Sequence, residues 1–498
     1  MNNFKKNIWT ILLSFLVIIF LWISDYPPMI DLPQHAAQVS TFISLINQTS
    51  SWSEIVEINY LTPYWIGYGP WIALCLIFDV ITAFKILVSS LFVLYVLSIR
   101  SVFLKINAPL ELSILAIPLF FGFSYQWGFL TFIAAIPIGM LLLNFSTQSI
   151  KKQISLKFIT IFTTLGFILF LSHILVFVFF CLITFIYRVL SIVREKALVK
   201  KSIISLSVSY LFFSLILIGY LKSNDPLAGL YSYGDNFYIY SSGENRFLEL
   251  FILPWSGSLV KELNALIFSA CMILTPFILR YKLSKDNRKY IPFAISIVLW
   301  FSLPHFISNT FFIYQRYSIF IFIFYFMIFE KHDHTGISKS FNKNIFIVAL
   351  AFLITYNPLV NIWFFSKETK SFERLISNLP ENKRALSLIF DTYGLTIRNP
   401  AVYVHFPLWY QAQKNGFVDF NFAWFNPQII RFKPSKAPEV KPSFEWQPQN
   451  HVFIEHCDIY DLIILRTTTN DAPPKITLSN CSFSMKANSQ TWYAYERD

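Results

Sequence analysis

The sequence predicts an all-α polytopic membrane protein of about eleven transmembrane helices, with a small α/β domain at its C-terminal end. Three observations carry this expectation. The chain is 55% hydrophobic and 14% charged, against about a quarter charged in soluble domains. Apolar runs long enough to cross or nearly cross a bilayer recur from residue 8 to residue 365. From Lys367 onward the pattern changes to short strand-like runs set among prolines and charges.

The first run, 8–24, follows Lys5 and Lys6 and so resembles a signal peptide, but it continues into Ser24-Asp25-Tyr26-Pro27-Pro28 with no small-x-small cleavage site. It is read as a retained span with its N-terminus inside, anchored by Trp9 and Trp22. Further spans are expected near 84–104, 109–123, 127–145, 158–172, 173–190, 203–221, 264–281, 290–304, 313–330 and 344–365. Positive charge sets their direction: Arg100 and Lys105, Lys151 to Lys157, Arg188 to Lys201, Arg280 to Lys289 and Lys331 to Lys343 all fall inside if 63–104 crosses once. That condition makes 63–78 an interfacial helix on the outer side and places the C-terminus outside. Treating 63–81 as a twelfth span fits the charges less well. The net charge of +12 lies in these short loops, a pattern that suits membrane lipids as partners and argues against nucleic acid.

Residues 1–366 therefore form the transmembrane domain, with outer loops 25–83 and 222–263, and residues 367–498 form an extracytoplasmic α/β domain. In the latter, strands are expected at 385–390, 401–405, 462–466 and 491–495, and a helix at 371–379. Cys75, Cys181 and Cys271 lie in or beside apolar runs, as small buried hydrophobes do. Cys457 and Cys481 share the outer domain and are candidates for a disulfide. None of the five has the spacing of a metal site.

The first outer loop carries the chemistry. Between Lys6 and Lys85 there is no Lys or Arg, and within that stretch stands Asp31-Leu32-Pro33-Gln34-His35. Pro33 suits the first turn of a helix running through Ala36, Val39, Phe42, Ile43 and Ile46. Asp31 then precedes a helix N-terminus, where partial positive charge favours an ionised carboxylate, and His35 lies one turn on. Such a pair can take a proton from a hydroxyl nucleophile, or hold a divalent cation. From these five residues alone the plainer alternative, Asp31 as a helix cap and His35 as a polar residue facing water, stays open and is the default.

The wider pattern resembles the GT-C superfamily of membrane glycosyltransferases, which includes protein O-mannosyltransferases and lipid A aminoarabinose transferases. The matching pieces are Asp31 after the first span, Pro63-Tyr64-Trp65, and Asp79 to Lys85, where that superfamily often has an arginine. Late in the chain, Gln315-Arg316-Tyr317 is similar to its Arg-Tyr-Leu-Leu-Pro element without the proline, and the tail resembles the small periplasmic domain of some members. Many relatives carry a second acid beside the first; here the following residues are Leu, Pro, Gln and His.

The resemblance implies a sugar donor on a polyprenyl phosphate, an envelope glycan, lipid or protein as acceptor, and reaction at the outer face of a bacterial inner membrane. Asp31 is then the general base of an inverting transfer, with His35 in the place of the second acid. Arg316, beside Tyr317, is the first choice for the donor phosphate, Lys85 the second and Arg246 the third; snorkelling of Arg316 and Lys85 to lipid headgroups is the plain alternative. No cofactor is implied with certainty; a divalent cation is compatible.

Lesser candidates are Tyr125 to Gly128, Trp65, Tyr68 and Trp71 as sugar-stacking or belt aromatics, His173 and His305 at span junctions, and Asp225, Asp235 and Glu244 among Tyr231, Tyr233, Tyr238 and Tyr240. His405 has no assigned role. A different class, a flippase, polymerase-like transporter or scaffold of an envelope pathway, stays open. A transporter places paired ionisable groups near the midplane, where these spans carry almost none, whereas the missing acid and proline favour a scaffold.

Overall fold

The computed structural model describes residues 2–195, 199–223, 238–255, 262–307, 310–331, 337–397, 399–438, 442, 444–448, 457–468 and 481–498. Asp225, Tyr231, Tyr233 and Asp235 lie outside the described residues. The chain divides into two compact units, one of residues 1–19, 88–224 and 233–359, the other of 20–87, 225–232 and 360–498.

The apolar runs fold as helices. Val80–Lys105, Leu110–Trp127, Ile174–Glu195, Val199–Leu221 and Lys343–Ser377 are long and apolar enough to cross a bilayer, and Ile8–Ile23, Leu130–Ser146, Leu156–Phe170 and Glu262–Ile278 are shorter apolar helices. Ile291–Ser302 and Ser318–Met327 are shorter again, rising about 18 and 15 Å. The first of these stops because Leu303, which precedes Pro304, is extended, as the proline ring requires. The second is bracketed by the 3-10 turn Gln315–Tyr317 and the strand Phe329–Glu330.

In the first unit aromatic rings fill the space between helices. Phe179 packs on Phe320 at 4.8 Å and on Tyr317 at 4.9 Å between ring centres. Two glycines admit such rings: a Cβ on Gly139 falls 2.3 Å from the Phe180 ring, and one on Gly166 falls 2.1 Å from the Phe213 ring. Close approach of this kind is how small residues serve helix pairs inside a membrane.

The second unit brings residues 20–87 onto the C-terminal segment. Four elements of the N-terminal part matter: α1 (Asn2–Ile23), whose last turn lies in this unit, α2 (Leu32–Ile46), α3 (Trp65–Cys75) and the start of α4 (Val80–Lys105). With eleven residues, α3 is too short to span. Asp79 caps α4, its Oδ1 accepting from the amides of Ile81 and Thr82 at 3.0 Å each.

The C-terminal segment builds a five-stranded sheet in the order Phe483–Ser489, Trp492–Arg497, Leu462–Arg466, Arg384–Ile389, Phe417–Val418. The last three are parallel and the first two add as an antiparallel hairpin. Leu462–Arg466 is central and buried throughout, which is why it reads as an unbroken apolar run. Helix Lys370–Ser377 stands where one was expected, and Cys457 is bonded to Cys481.

One expectation fails. Residues 401–405 form no strand but a series of turns with hydrogen bonds from Val404 to Ala401, Phe406 to Tyr403 and Leu408 to His405, leading into the helix Leu408–Lys414. Their β-branched and aromatic composition is used for packing, since every residue from Ala401 to Tyr410 is buried, and Pro400 and Pro407 cannot donate to a ladder.

Candidate functional site

Helix α2 carries a polar stripe. Asp31, Gln34, Gln38 and Thr41 recur at steps of three, four and three, which places them on one helical face. Buried polar atoms need partners, and those of Gln34, Gln38 and Thr41 find them in the C-terminal segment. Gln34 Oε1 accepts from the Phe422 amide at 2.9 Å, Gln38 Oε1 from the Ile430 amide at 2.8 Å, and Thr41 Oγ1 from Gln411 Nε2 at 3.0 Å. Strand Val56–Ile58 pairs antiparallel with Ile430–Phe432 and adds the Glu57–Arg431 ion pair at 2.7 Å.

Asp31 stands at the N-terminal end of this stripe. It occupies the cap position of α2, yet its carboxylate makes no capping hydrogen bond. Instead Oδ1 lies 3.4 Å from His405 Nε2, with the Asp31 side chain 13% exposed. His405 Nδ1 lies 3.2 Å from Gln34 Nε2. Its ring stacks on Phe420 and meets Phe422 at an angle.

His35 turns toward α3. Its Nδ1 is 2.5 Å from the Tyr68 hydroxyl, which donates to Gln428 Oε1 at 2.5 Å. A phenol has one proton to give, so His35 Nδ1 is the donor and carries the ring proton. Burial pushes the Tyr68 phenol well above its ordinary range, and the charge of Asp31 adds to this. Tyr68 is therefore a neutral hydrogen-bonding strut.

Lys85 belongs to the same unit. It donates to Asp25 Oδ1 at 2.5 Å and to the Trp22 carbonyl at 3.1 Å, so it closes the C-terminal end of α1, where backbone carbonyls lack helical partners.

Arg246, Arg316 and Tyr317 fall in the other unit. The Arg246 Nη1 group donates to the carbonyls of Trp300 and Phe301 at 3.0 and 2.8 Å, at the C-terminal end of helix Ile291–Ser302, and its guanidinium lies 4.4 Å from the Tyr314 ring centre. The Arg316 guanidinium lies 3.8 Å over the Phe129 ring and donates to the Phe311 carbonyl at 3.1 Å. Tyr317 is buried and donates to the Leu175 carbonyl at 3.2 Å. His305 Nδ1 meets Gln315 Nε2 at 2.6 Å, and His173 packs edge-on against Phe132. Among the described residues no group of three or more His, Cys, Asp or Glu side chains is placed to hold a metal ion.

The structure thus brings together Asp31, Gln34 and His405 in one group and His35, Tyr68 and Gln428 in another, with the Phe422 ring against both histidines. Gln34, His405, Gln428 and Asp25 have no role in the sequence reading. The spacing of Asp31, Gln34, Gln38 and Thr41 is the signal that finds Gln34, since a polar heptad stripe in an otherwise apolar helix must be answered by protein. No local signal finds His405.

Five helices among the described residues are long and apolar enough to cross a membrane, as in a multi-pass membrane protein. Among solved structures the chain is similar to ArnT from Cupriavidus metallidurans, in a crystal structure bound to undecaprenyl phosphate, with a TM-score of 0.54 over 97% of this chain and 97% of that one, at 9% sequence identity. No protein-family model matches the sequence, and no curated protein matches it.

Proposed function

We propose that this protein is an integral membrane glycosyltransferase that moves a sugar from a polyprenyl-phosphate donor to an envelope glycan, lipid or protein acceptor, with Asp31 as general base. The observation that carries the reading is the Asp31 carboxylate, poised at a helix N-terminus but not spent on capping it, in a chain with the fold of ArnT. In the reaction, the acceptor hydroxyl attacks the anomeric carbon from the face opposite the phosphate. The carbon–oxygen bond to the donor phosphate breaks with its electron pair going to the phosphate oxygen, and the hydroxyl proton passes to Asp31, giving inversion. A phosphate leaving group needs cationic stabilisation more than a proton.

Arg316 is proposed for that contact, with Lys85, which pairs with Asp25, second and Arg246, which donates to two carbonyls, third. His35, fixed by Tyr68, orients the acceptor. The membrane is the bacterial inner membrane, crossed eleven times, with the N-terminus cytoplasmic and residues 367–498 outside. The test expresses wild type and Asp31→Asn at matched levels and compares envelope glycans and polyprenyl-phosphate sugars by mass spectrometry. The variant accumulates the lipid-linked sugar and loses its transferred product; identical profiles sink the proposal.

A further inference from the structure

The Asp31 carboxylate is approached by an imidazole whose proton position is settled by one backbone amide. The Phe422 N–H lies 2.9 Å from one atom of the Gln34 carboxamide. A backbone amide can only donate, so that atom is the carbonyl oxygen, and the NH2 group is the end facing His405 Nδ1 at 3.2 Å. An NH2 group in turn only donates, so His405 Nδ1 is the accepting nitrogen and the ring proton of the neutral imidazole lies on Nε2. Nε2 is the atom 3.4 Å from Asp31 Oδ1. That separation is long for a hydrogen bond, as catalytic contacts often are before substrate arrives.

The ring has little freedom to turn. Gln34 and His405 are both buried, and Phe420 lies face to face with the imidazole while Phe422 lies edge-on. Turning Gln34 over sets its NH2 group against the Phe422 N–H, and turning His405 over sets a carbon against both Gln34 and Asp31. Each alternative leaves a buried donor unanswered, at about 1–3 kcal/mol.

We propose that His405 is a positioning residue for Asp31, held by Gln34 in the tautomer that presents Nε2–H to Oδ1. Its catalytic consequence rests on the transferase reading above; its geometry does not. Holding Oδ1 fixes the plane of the carboxylate and leaves Oδ2 to take the acceptor proton. The proton released in the reaction ends on Oδ2, while the His405 proton stays on Nε2. His405 thus acts through Asp31 and touches no substrate. It contrasts with His35, whose ring proton is on Nδ1.

Two measurements decide this. Magic-angle-spinning NMR of the full-length protein in bilayers, labelled with 13C,15N-histidine and assigned by the signal lost in His405→Phe, reports the tautomer directly. The expected pattern is Nε2–H with unprotonated Nδ1, and a change at Nε2 in Asp31→Asn. An Nδ1–H pattern, or no response to Asp31→Asn, overturns the proposal. In the mass-spectrometric assay, at matched amounts of folded protein, His405→Phe lowers transferred product about 100-fold, the scale of a misplaced reacting group. His405→Gln, whose side-chain NH2 reaches the place of Nε2–H, retains activity within about tenfold of wild type. Equal losses in the two variants, or none in either, also overturn it. Unchanged glycans in Asp31→Asn alongside the expected NMR pattern reject the transferase reading and leave the tautomer assignment standing.

Discussion

Asp419→Asn is expected to loosen the segment that carries the Phe422 amide. Arg384 Nε and Nη2 donate to the two carboxylate oxygens of Asp419 at 2.7 and 2.8 Å, and the Tyr460 hydroxyl adds a third bond at 2.8 Å. The side chains are 16% and 1% exposed, so solvent screens the pair weakly. At an effective dielectric constant of about 20 and a charge separation of about 4 Å the attraction is about 4 kcal/mol. Removing one member of a buried pair commonly costs about 3–5 kcal/mol, because the other charge stays behind.

Asp419 follows the two-residue edge strand Phe417–Val418 and precedes Phe422 by three positions, so the loss is local. Limited proteolysis of the protein in nanodiscs reads it. If cleavage samples an opened state, its rate within 415–428 rises about 150- to 5,000-fold in Asp419→Asn. Replacing both partners, Arg384→Met with Asp419→Leu, restores most of the protection, since an apolar pair leaves no buried charge. A single variant cleaved at the wild-type rate, or a double variant as labile as the single, refutes the reasoning.

Two further expectations concern the same unit. Gln38→Met keeps roughly the volume of the side chain but removes the acceptor of the Ile430 amide; it should destabilise by about 1–3 kcal/mol, read as earlier thermal unfolding, while Gln38→Glu, which retains an acceptor, should lose less. Asp79→Ala removes the cap of α4 and should cost about 1 kcal/mol. For Asp79, burial raises the carboxyl but hydrogen bonds from Thr82 and the Ile81 amide outweigh it, so its value falls below 3.8. A depressed carboxyl contributes stability that is present above its unfolded value and is lost as pH falls through the folded one. The difference in melting temperature between wild type and Asp79→Ala should therefore hold at neutral pH and close below about pH 3.8; a difference unchanged in acid contradicts this.

Much of the helical architecture was legible because membrane helices declare themselves by uninterrupted apolar length, as Val80–Lys105 and Ile174–Glu195 do. Strands Leu462–Arg466 and Arg384–Ile389 stand where β-branched and aliphatic residues cluster between turn formers. The same logic misled at 401–405, where composition suits a strand and the fold instead buries every side chain in turns. Of the candidate site, the place of Asp31 before a proline-started helix was readable from local rules, but its freedom from capping was not, because propensity says where a cap belongs and not what its carboxylate meets. Lys85 was visible as a lone cation after a long stretch without Lys or Arg; its partner Asp25 lies across a helix boundary and 60 residues away. His405 offers no periodicity or motif, and its importance is a matter of what tertiary packing sets beside Gln34.

The polar stripe on α2 also sets an order of events during synthesis. Gln34 and its imidazole partner are separated by 371 positions in the chain, and Gln38 and its amide partner by 392. This helix emerges early, yet the polar groups of Gln34, Gln38 and Thr41 do not meet their partners until the C-terminal segment has been made and has folded against them. Until then Asp31 sits in a helix with an unanswered polar face, without its imidazole neighbour. The arrangement around this carboxylate is thus completed late, and a ribosome that stops before residue 405 leaves a chain with the residue but without its imidazole neighbour.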